Sequence, residues 1–222
     1  MSVLFKRWIL SSRPVDWLRR RWRSRRMEAF LRLMQIPARA RIIDLGGSMS
    51  MWELIDHDYQ VTLVNRSRWA LPQSPHKYRI EVADACDLHG LFADQSFDLV
   101  FSNSTIEHLG GPERRQQFAA EVLRLAPAWW IQTPCGSFPI EAHTGLPFYW
   151  SWPRWAQARA EATRRHRHPE WYEEMQTTVA VDESEMLTLF PGSAIYRERV
   201  MGLVKSFTMY RKFPISQTPH PP

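Results

Sequence analysis

Cysteine is scarce, glycine is sparse, and no long apolar run occurs near the start of the chain. The 222 residues contain two cysteines, Cys86 and Cys135. They form neither a metal-type pair nor a disulfide framework, which argues against a disulfide-stapled scaffold and suits a reducing cytosol. The apolar stretch Val3 to Leu10 is broken by Lys6 and Arg7, and it falls far short of the roughly 18 residues of a spanning helix. No segment reads as a signal peptide. With nine glycines in all, the chain has no Gly-x-Gly-x-x-Gly turn, so a pyrophosphate cradle for a dinucleotide is poorly supported. Internal repeats are also missing. Acid is nearly absent from residues 1–26, where nine basic residues face Asp16 alone. That segment carries +8 of a total of +6, so the remainder nets −2. The basic character belongs to one end of the chain and says little about the core.

A hydrophobic content of 44% is enough for one globular domain with additions. Residues 1–36 mix Trp8, Trp17, Trp22, Phe30 and Leu31 with arginines, Pro14 divides them into two helical pieces, and Pro37 ends them. An alternation follows. Apolar runs at Ile42–Leu45, Val61–Val64, Ile80–Val82, Phe97–Phe101 and Trp129–Gln132 read as five strands. Helical patterns begin at Ser50 and span Pro112–Leu125. Asp182–Leu189 reads as a helix with an Asp N-cap, and Ala194–Val200 and Lys205–Arg211 as two closing strands in a hairpin. The pattern predicts an α/β fold: a Rossmann-like, doubly wound, mostly parallel seven-stranded sheet with an antiparallel C-terminal hairpin. The expected organisation is a basic amphipathic helical segment (1–36), the α/β domain (37–213) with an aromatic-rich insertion (134–178), and a loose tail (214–222).

Ligands of such sheets sit beyond the carboxyl ends of the strands, where strand order reverses. The first strand ends there in Asp44-Leu45-Gly46-Gly47. Gly46 and Gly47 allow a tight turn and a close approach to a ligand, while Ser48 and Ser50 keep hydroxyls and amides available to a carboxylate. A smaller nucleoside ligand without phosphates remains compatible with this loop.

From Arg41 to Trp130 the order of motifs resembles the class I S-adenosylmethionine-dependent methyltransferases, especially the small type 11 enzymes. Asp44-Leu45-Gly46-Gly47, with Ser48, resembles the first motif, whose acid and glycine turn hold the amino acid end of the cofactor. Val61-Thr62-Leu63-Val64-Asn65 resembles the second, with Asn65 where an acid usually grips the ribose hydroxyls; an amide can serve there as donor and acceptor. Ala83-Asp84-Ala85-Cys86 resembles the third, whose aspartate contacts the adenine amino group while the backbone around Ala85 frames the ring. Ser96 to Asn103, followed by Ile106-Glu107-His108-Leu109, resembles the fourth strand and its turn, which makes Asn103 a cofactor contact and places His108 near the cofactor as a further catalytic candidate. The resemblance implies S-adenosylmethionine as cofactor and S-adenosylhomocysteine as product. Cys86 reads as a small buried filler.

Pro139-Ile140-Glu141-Ala142-His143, shortly after the fifth strand, resembles a stretch found in a subset of these enzymes often encoded among functions that build surface polysaccharides or lipids. Transfer of a sulfonium methyl to a hydroxyl needs in-line geometry, exclusion of water and a base. His143 is the first candidate base and Glu141 its orienting partner; the alternative is that both pin the loop. His108, Glu141 and His143 show no metal-ligand spacing, so no metal is expected. The aromatics Phe148, Tyr149, Trp150, Trp152, Trp155, Trp171 and Tyr172 form either a core under a long loop or a lid over the acceptor. Arg164, Arg165, His166, Arg167 and His168 read as a solvated basic face or an anion-attracting one. For residues 1–26 three readings stand: an interfacial segment on an anionic membrane, a helical cap over the cleft, or a contact with nucleic acid. The sequence thus predicts a cytoplasmic enzyme, peripheral at the inner membrane face under the first of these readings, that methylates oxygen on a small molecule, glycan or lipid-linked acceptor. The alternatives are a nucleic acid methyltransferase and a non-catalytic binding protein of the same fold.

Overall fold

The structure, a computed structural model, describes residues 13–66, 78–140, 148–165 and 178–213. Seven strands form one sheet: β1 (Arg41–Leu45), β2 (Gln60–Asn65), β3 (Arg79–Val82), β4 (Leu99–Asn103), β5 (Ala128–Pro134), β6 (Ala194–Val200) and β7 (Leu203–Arg211). Their order is β3-β2-β1-β4-β5-β7-β6. The first five strands run parallel, and β7 is antiparallel to both β5 and β6. Strand order reverses between β1 and β4, the switch point at which such sheets hold ligands. The Rossmann-like architecture read from the sequence is the one observed.

Alternate strand residues face opposite layers. Ile42, Phe101 and Trp130 turn to one side with Phe30 and Met34, while Ile43, Val100 and Ile131 turn to the other with Phe118, Val122 and Met186. The first side is covered by α1 (Arg13–Met34), which has Pro14 in its opening turn, where the missing N–H costs nothing. Phe30 of α1 lies in a cluster of edge-on rings, 5.1 Å from Phe101, 5.5 Å from Trp130 and 6.0 Å from Trp52. Gln35, at φ +49, turns the chain out of α1 in the left-handed C-terminal position, its N–H bonded to Leu31 O. α1 is therefore a packed layer of the fold.

The helix expected from Ser50 is a single turn, α2 (Met49–Trp52), which buries Met51 and Trp52. The other sheet face is covered by α3 (Pro112–Leu125), with proline at its start and Phe118, Val122 and Leu125 buried. Two further helices are α4 (Arg154–Arg165) in the insertion and α5 (Glu183–Leu189). The Asp182 side chain accepts from the Glu185 N–H at 2.8 Å, the N-cap read from the sequence. Within the insertion Tyr149 is buried and its hydroxyl donates to Glu161, whereas Trp155 is 73% exposed. Residues 1–12, Glu141, His143, His166, His168, Trp171, Tyr172 and the tail lie outside the described residues.

Candidate functional site

The carboxyl end of β1 is shaped by contacts that demand glycine. Gly46 has φ +78, a region glycine enters without penalty, and a Cβ there would meet Thr105 Oγ1 at 2.2 Å. A Cβ on Gly47 would fall 2.2 Å from the Asp44 carboxylate. Neighbouring strands fix the turn. Gly46 N donates to Val64 O at 2.8 Å, and Leu45 O accepts from Ser102 Oγ at 2.8 Å and Thr105 Oγ1 at 3.1 Å.

Asp44 is the chemically pointed residue. It is 1% exposed; one carboxylate oxygen accepts from Trp52 Nε1 at 2.8 Å, and the other, Oδ1, has no hydrogen-bond partner among the described residues. Burial pushes its carboxyl up to about 7, against the smaller opposing pull of the Trp52 N–H. A buried acceptor in this state calls for a cationic or N–H donor. Ser48 and Ser50 share a hydroxyl contact at 2.9 Å beside the turn.

The other predicted cofactor residues lie along the same strand ends. Asn65 closes β2, and its Nδ2 approaches Gly47 O at 3.5 Å. Ala83 N donates to Asn65 O at 3.1 Å, which carries the chain past β3 to Asp84 and buried Ala85. Asp84 accepts from Cys86 N at 3.0 Å and from Arg114 Nη2 at 2.7 and 2.6 Å. Partial burial opposes ionisation of Asp84, but the Cys86 N–H and the Arg114 guanidinium outweigh it and hold the carboxyl below its ordinary value. The Cys86 thiol is buried, and desolvation pushes it up to about 11, which fits a filler better than a nucleophile. Asn103 ends β4, with its Oδ1 accepting from Arg26 Nη1 at 2.6 Å.

The turn after β4 is a 3-10 turn, Ile106–His108. Glu107 is buried; its carboxylate accepts from Thr133 Oγ1 at 3.2 Å and its carbonyl from Val179 N at 2.8 Å, while His108 Nδ1 lies 2.9 Å from Thr178 Oγ1. Asp44, Gly46, Gly47, Ser48, Asn65, Asp84, Ala85 and Asn103 thus lie along one edge of the sheet, with His108 in the loop beside it.

Four contributors escaped the sequence reading: Trp52, Thr105, Arg114 and Arg26. Trp52 follows the glycine turn closely, and its apolar bulk masks the donor role of its indole N–H. Arg114 meets Asp84 from 30 positions away, and Arg26 resembles the solvated arginines around it, so no local spacing marks either. Among the described residues no group of His, Cys, Asp and Glu gathers as a metal site, and no helix is long and apolar enough to cross a membrane.

Comparison with known proteins agrees with this geometry. Residues 43–127 match the model of a family described as "Methyltransferase domain". No curated protein matches the chain. Among solved structures, a methyltransferase from Archaeoglobus fulgidus described as SAM dependent is 12% identical with a TM-score of 0.56, covering 86% of this chain and 93% of that one. Burkholderia thailandensis 1,6-didemethyltoxoflavin-N1-methyltransferase, solved with 1,6-didemethyltoxoflavin and S-adenosylhomocysteine, is 15% identical with a TM-score of 0.51, covering 86% and 76%. A putative methyltransferase from an antibiotic biosynthesis pathway of Anabaena variabilis is 15% identical with a TM-score of 0.51. The match covers 78% of this chain and 63% of that one, so the chain spans less than two thirds of that relative's length. At these identities the solved structures show the fold alone, and the family match is confined to residues 43–127.

Proposed function

We propose that the chain, whose residues 43–127 match a model described as "Methyltransferase domain", is a class I S-adenosylmethionine-dependent enzyme that methylates oxygen on a small-molecule, glycan or lipid-linked acceptor. The observation that carries the cofactor assignment is the buried Asp44 carboxylate with its unpartnered Oδ1, set against a glycine turn that no Cβ could enter. This arrangement suits the ammonium and the close-lying backbone of the cofactor's amino acid end. Asn65 would hold the ribose hydroxyls and Asp84 the adenine amino group, with Gly46, Gly47, Ser48, Ala85 and Asn103 lining the cleft. Bound S-adenosylmethionine supplies a methyl group already activated on a sulfonium.

The remaining work falls to the chain: orienting the acceptor in line, excluding water and removing one proton. His143 is proposed to take the proton from the acceptor hydroxyl as the carbon–oxygen bond forms and the carbon–sulfur bond breaks, with Glu141 orienting the imidazole and His108 close by. The acceptor class rests on the Pro-Ile-Glu-x-His stretch and on the face of α1. Trp17 is 60% exposed with Arg21 Cζ 5.4 Å from its ring centre, and Arg20, Arg25 and Arg32 are exposed. An aromatic with several cations suits an anionic lipid surface, where each basic residue adds on the order of 1 kcal/mol.

The test is calorimetric titration of the purified chain with S-adenosylhomocysteine. One-to-one binding is expected, and no binding to a folded sample would remove the enzymatic reading in favour of a non-catalytic protein of the same fold. Once an acceptor is in hand, His143→Ala should abolish turnover with cofactor affinity intact. Normal turnover at saturating substrates would remove His143 from the mechanism.

A further inference from the structure

One side chain from outside the family-matched stretch reaches Asn103 at the carboxyl end of β4. Arg26 of α1 is 6% exposed and engages four strands: Asn103 Oδ1 of β4 at 2.6 Å, Gln132 Oε1 of β5 at 3.1 Å, Glu198 Oε2 of β6 at 2.6 Å and Ser206 Oγ of β7 at 3.4 Å. A bulge between Glu198 and Arg199 leaves Lys205 out of the β6–β7 pairing. Lys205 Nζ lies 3.6 Å from Glu198 Oε1 and 4.5 Å from the Trp22 ring centre. Strand bulges re-aim side chains in this way. Burial works against the Glu198 charge, but Arg26 and Lys205 hold its carboxyl below the ordinary range.

The two halves of the Arg26 fork do different things. The Glu198 side anchors α1 to the closing hairpin. The other side leads to the cofactor turn. Gln132 Oε1 also accepts from Ser104 Oγ at 2.9 Å, and Ser104 N donates to Gln132 O at 3.1 Å, holding Ser104 in the left-handed region at φ +55. The next residue, Thr105, donates to Leu45 O and packs where a Cβ on Gly46 would go. Gln132 is 1% exposed and its Nε2 has no hydrogen-bond partner among the described residues, so the amide's orientation rests on what its oxygen accepts.

We propose that Arg26 is a positioning residue of the cofactor site, setting the Gly46 turn through Gln132, Ser104 and Thr105, so that the N-terminal helix is part of the binding machinery. The proposal rests on the methyltransferase reading above. Lysine can keep a charge near Glu198 but lacks the planar fork needed to reach Asn103 and Gln132 at the same time. The experiment compares S-adenosylhomocysteine affinity of the full chain, Arg26→Lys and Glu198→Gln by calorimetry, at a temperature where circular dichroism shows all three folded. Arg26→Lys should weaken binding about tenfold, the loss of one net hydrogen bond's worth of preorganisation. Glu198→Gln, which loosens only the hairpin anchor, should stay within about twofold. Wild-type affinity in Arg26→Lys, or equal losses in both variants, overturns the proposal. If Arg26→Lys does not fold, Ser104→Ala decides, because it cuts the next link without touching α1. A several-fold loss is expected there, and unchanged affinity refutes the link. Absence of binding by the wild-type chain would instead strike the cofactor reading itself, and the positioning role with it.

Discussion

Replacing Asp44 with Asn changes one charge at a fully buried site and makes opposite demands on the empty and ligand-bound protein. Without ligand, burial pushes the Asp44 carboxyl from 3.8 up to about 7. Keeping it ionised above pH 7 therefore costs about 4 kcal/mol, at about 1.4 kcal/mol per pH unit. The sign follows from proton counts. Between pH 4 and 7 the folded state holds a proton that the unfolded chain has released, so stability from this group is complete below about 4 and is lost as pH rises through about 7. About 2.7 kcal/mol of this falls between pH 5 and 8, and for a chain of this length 1 kcal/mol moves the midpoint by about 2–4 °C, so the wild type should lose about 5–10 °C relative to Asp44→Asn over that window. Binding runs the other way. The ammonium of S-adenosylhomocysteine needs the ionised carboxylate, so wild-type affinity should rise about tenfold from pH 6 to 8 and level off, with nearly one proton released on binding at pH 6. Asp44→Asn should bind tenfold to a hundredfold more weakly at pH 8, the worth of a charge-assisted hydrogen bond of about 1.5–3 kcal/mol, and show no such pH dependence. Scanning calorimetry of the empty protein, with titrations in buffers of different ionisation enthalpy, measures both. Parallel melting profiles for the two proteins across pH 5–8, together with unchanged affinity, would refute the reasoning.

Gly47→Ala forces a Cβ to 2.2 Å from the Asp44 carboxylate, so it should cost about 1–3 kcal/mol of stability and abolish cofactor binding; Gly111→Ala, whose Cβ meets nothing within 4 Å, is the control in thermal melts. Arg114→Ala frees an Asp84 carboxylate whose pair is about one-third exposed, with side chains at 35% and 33%. After solvent screening the stability loss should be 1 kcal/mol or less, while S-adenosylhomocysteine affinity falls several-fold in calorimetry. The combined change Arg20→Gln, Arg21→Gln and Arg25→Gln should reduce sedimentation with anionic liposomes about a hundredfold in partition constant, at about 1 kcal/mol per charge. Equal sedimentation of the variant would count against the membrane surface. Removing residues 1–26 is the wrong probe, since it deletes the buried Arg26.

The fold was legible because its signals are local. Val61–Val64 and Trp129–Gln132 are continuous apolar runs of the kind a sheet covered on both faces requires, Pro112 marks a helix start, and Asp182 marks an N-cap. The glycine turn was legible for the same reason: only residues without a Cβ fit at Gly46 and Gly47. What escaped depends on partners distant in sequence. Arg26 sits among eight other basic residues in the first 26, and its burial is decided by Asn103, Gln132 and Glu198, between 77 and 172 positions away. The helix expected from Ser50 ended after one turn at Trp52, whose indole turns to Asp44. A side chain that serves both as core and as donor gives no separate signal in a hydropathy pattern.

The most direct test of the account is the crystal structure of the chain with S-adenosylhomocysteine. The ligand's amino group is expected within hydrogen-bonding distance of Asp44 Oδ1, its ribose at Asn65 and its adenine at Asp84. A ligand seated elsewhere, or a cleft closed by the protein's own side chains at saturating ligand, would contradict it.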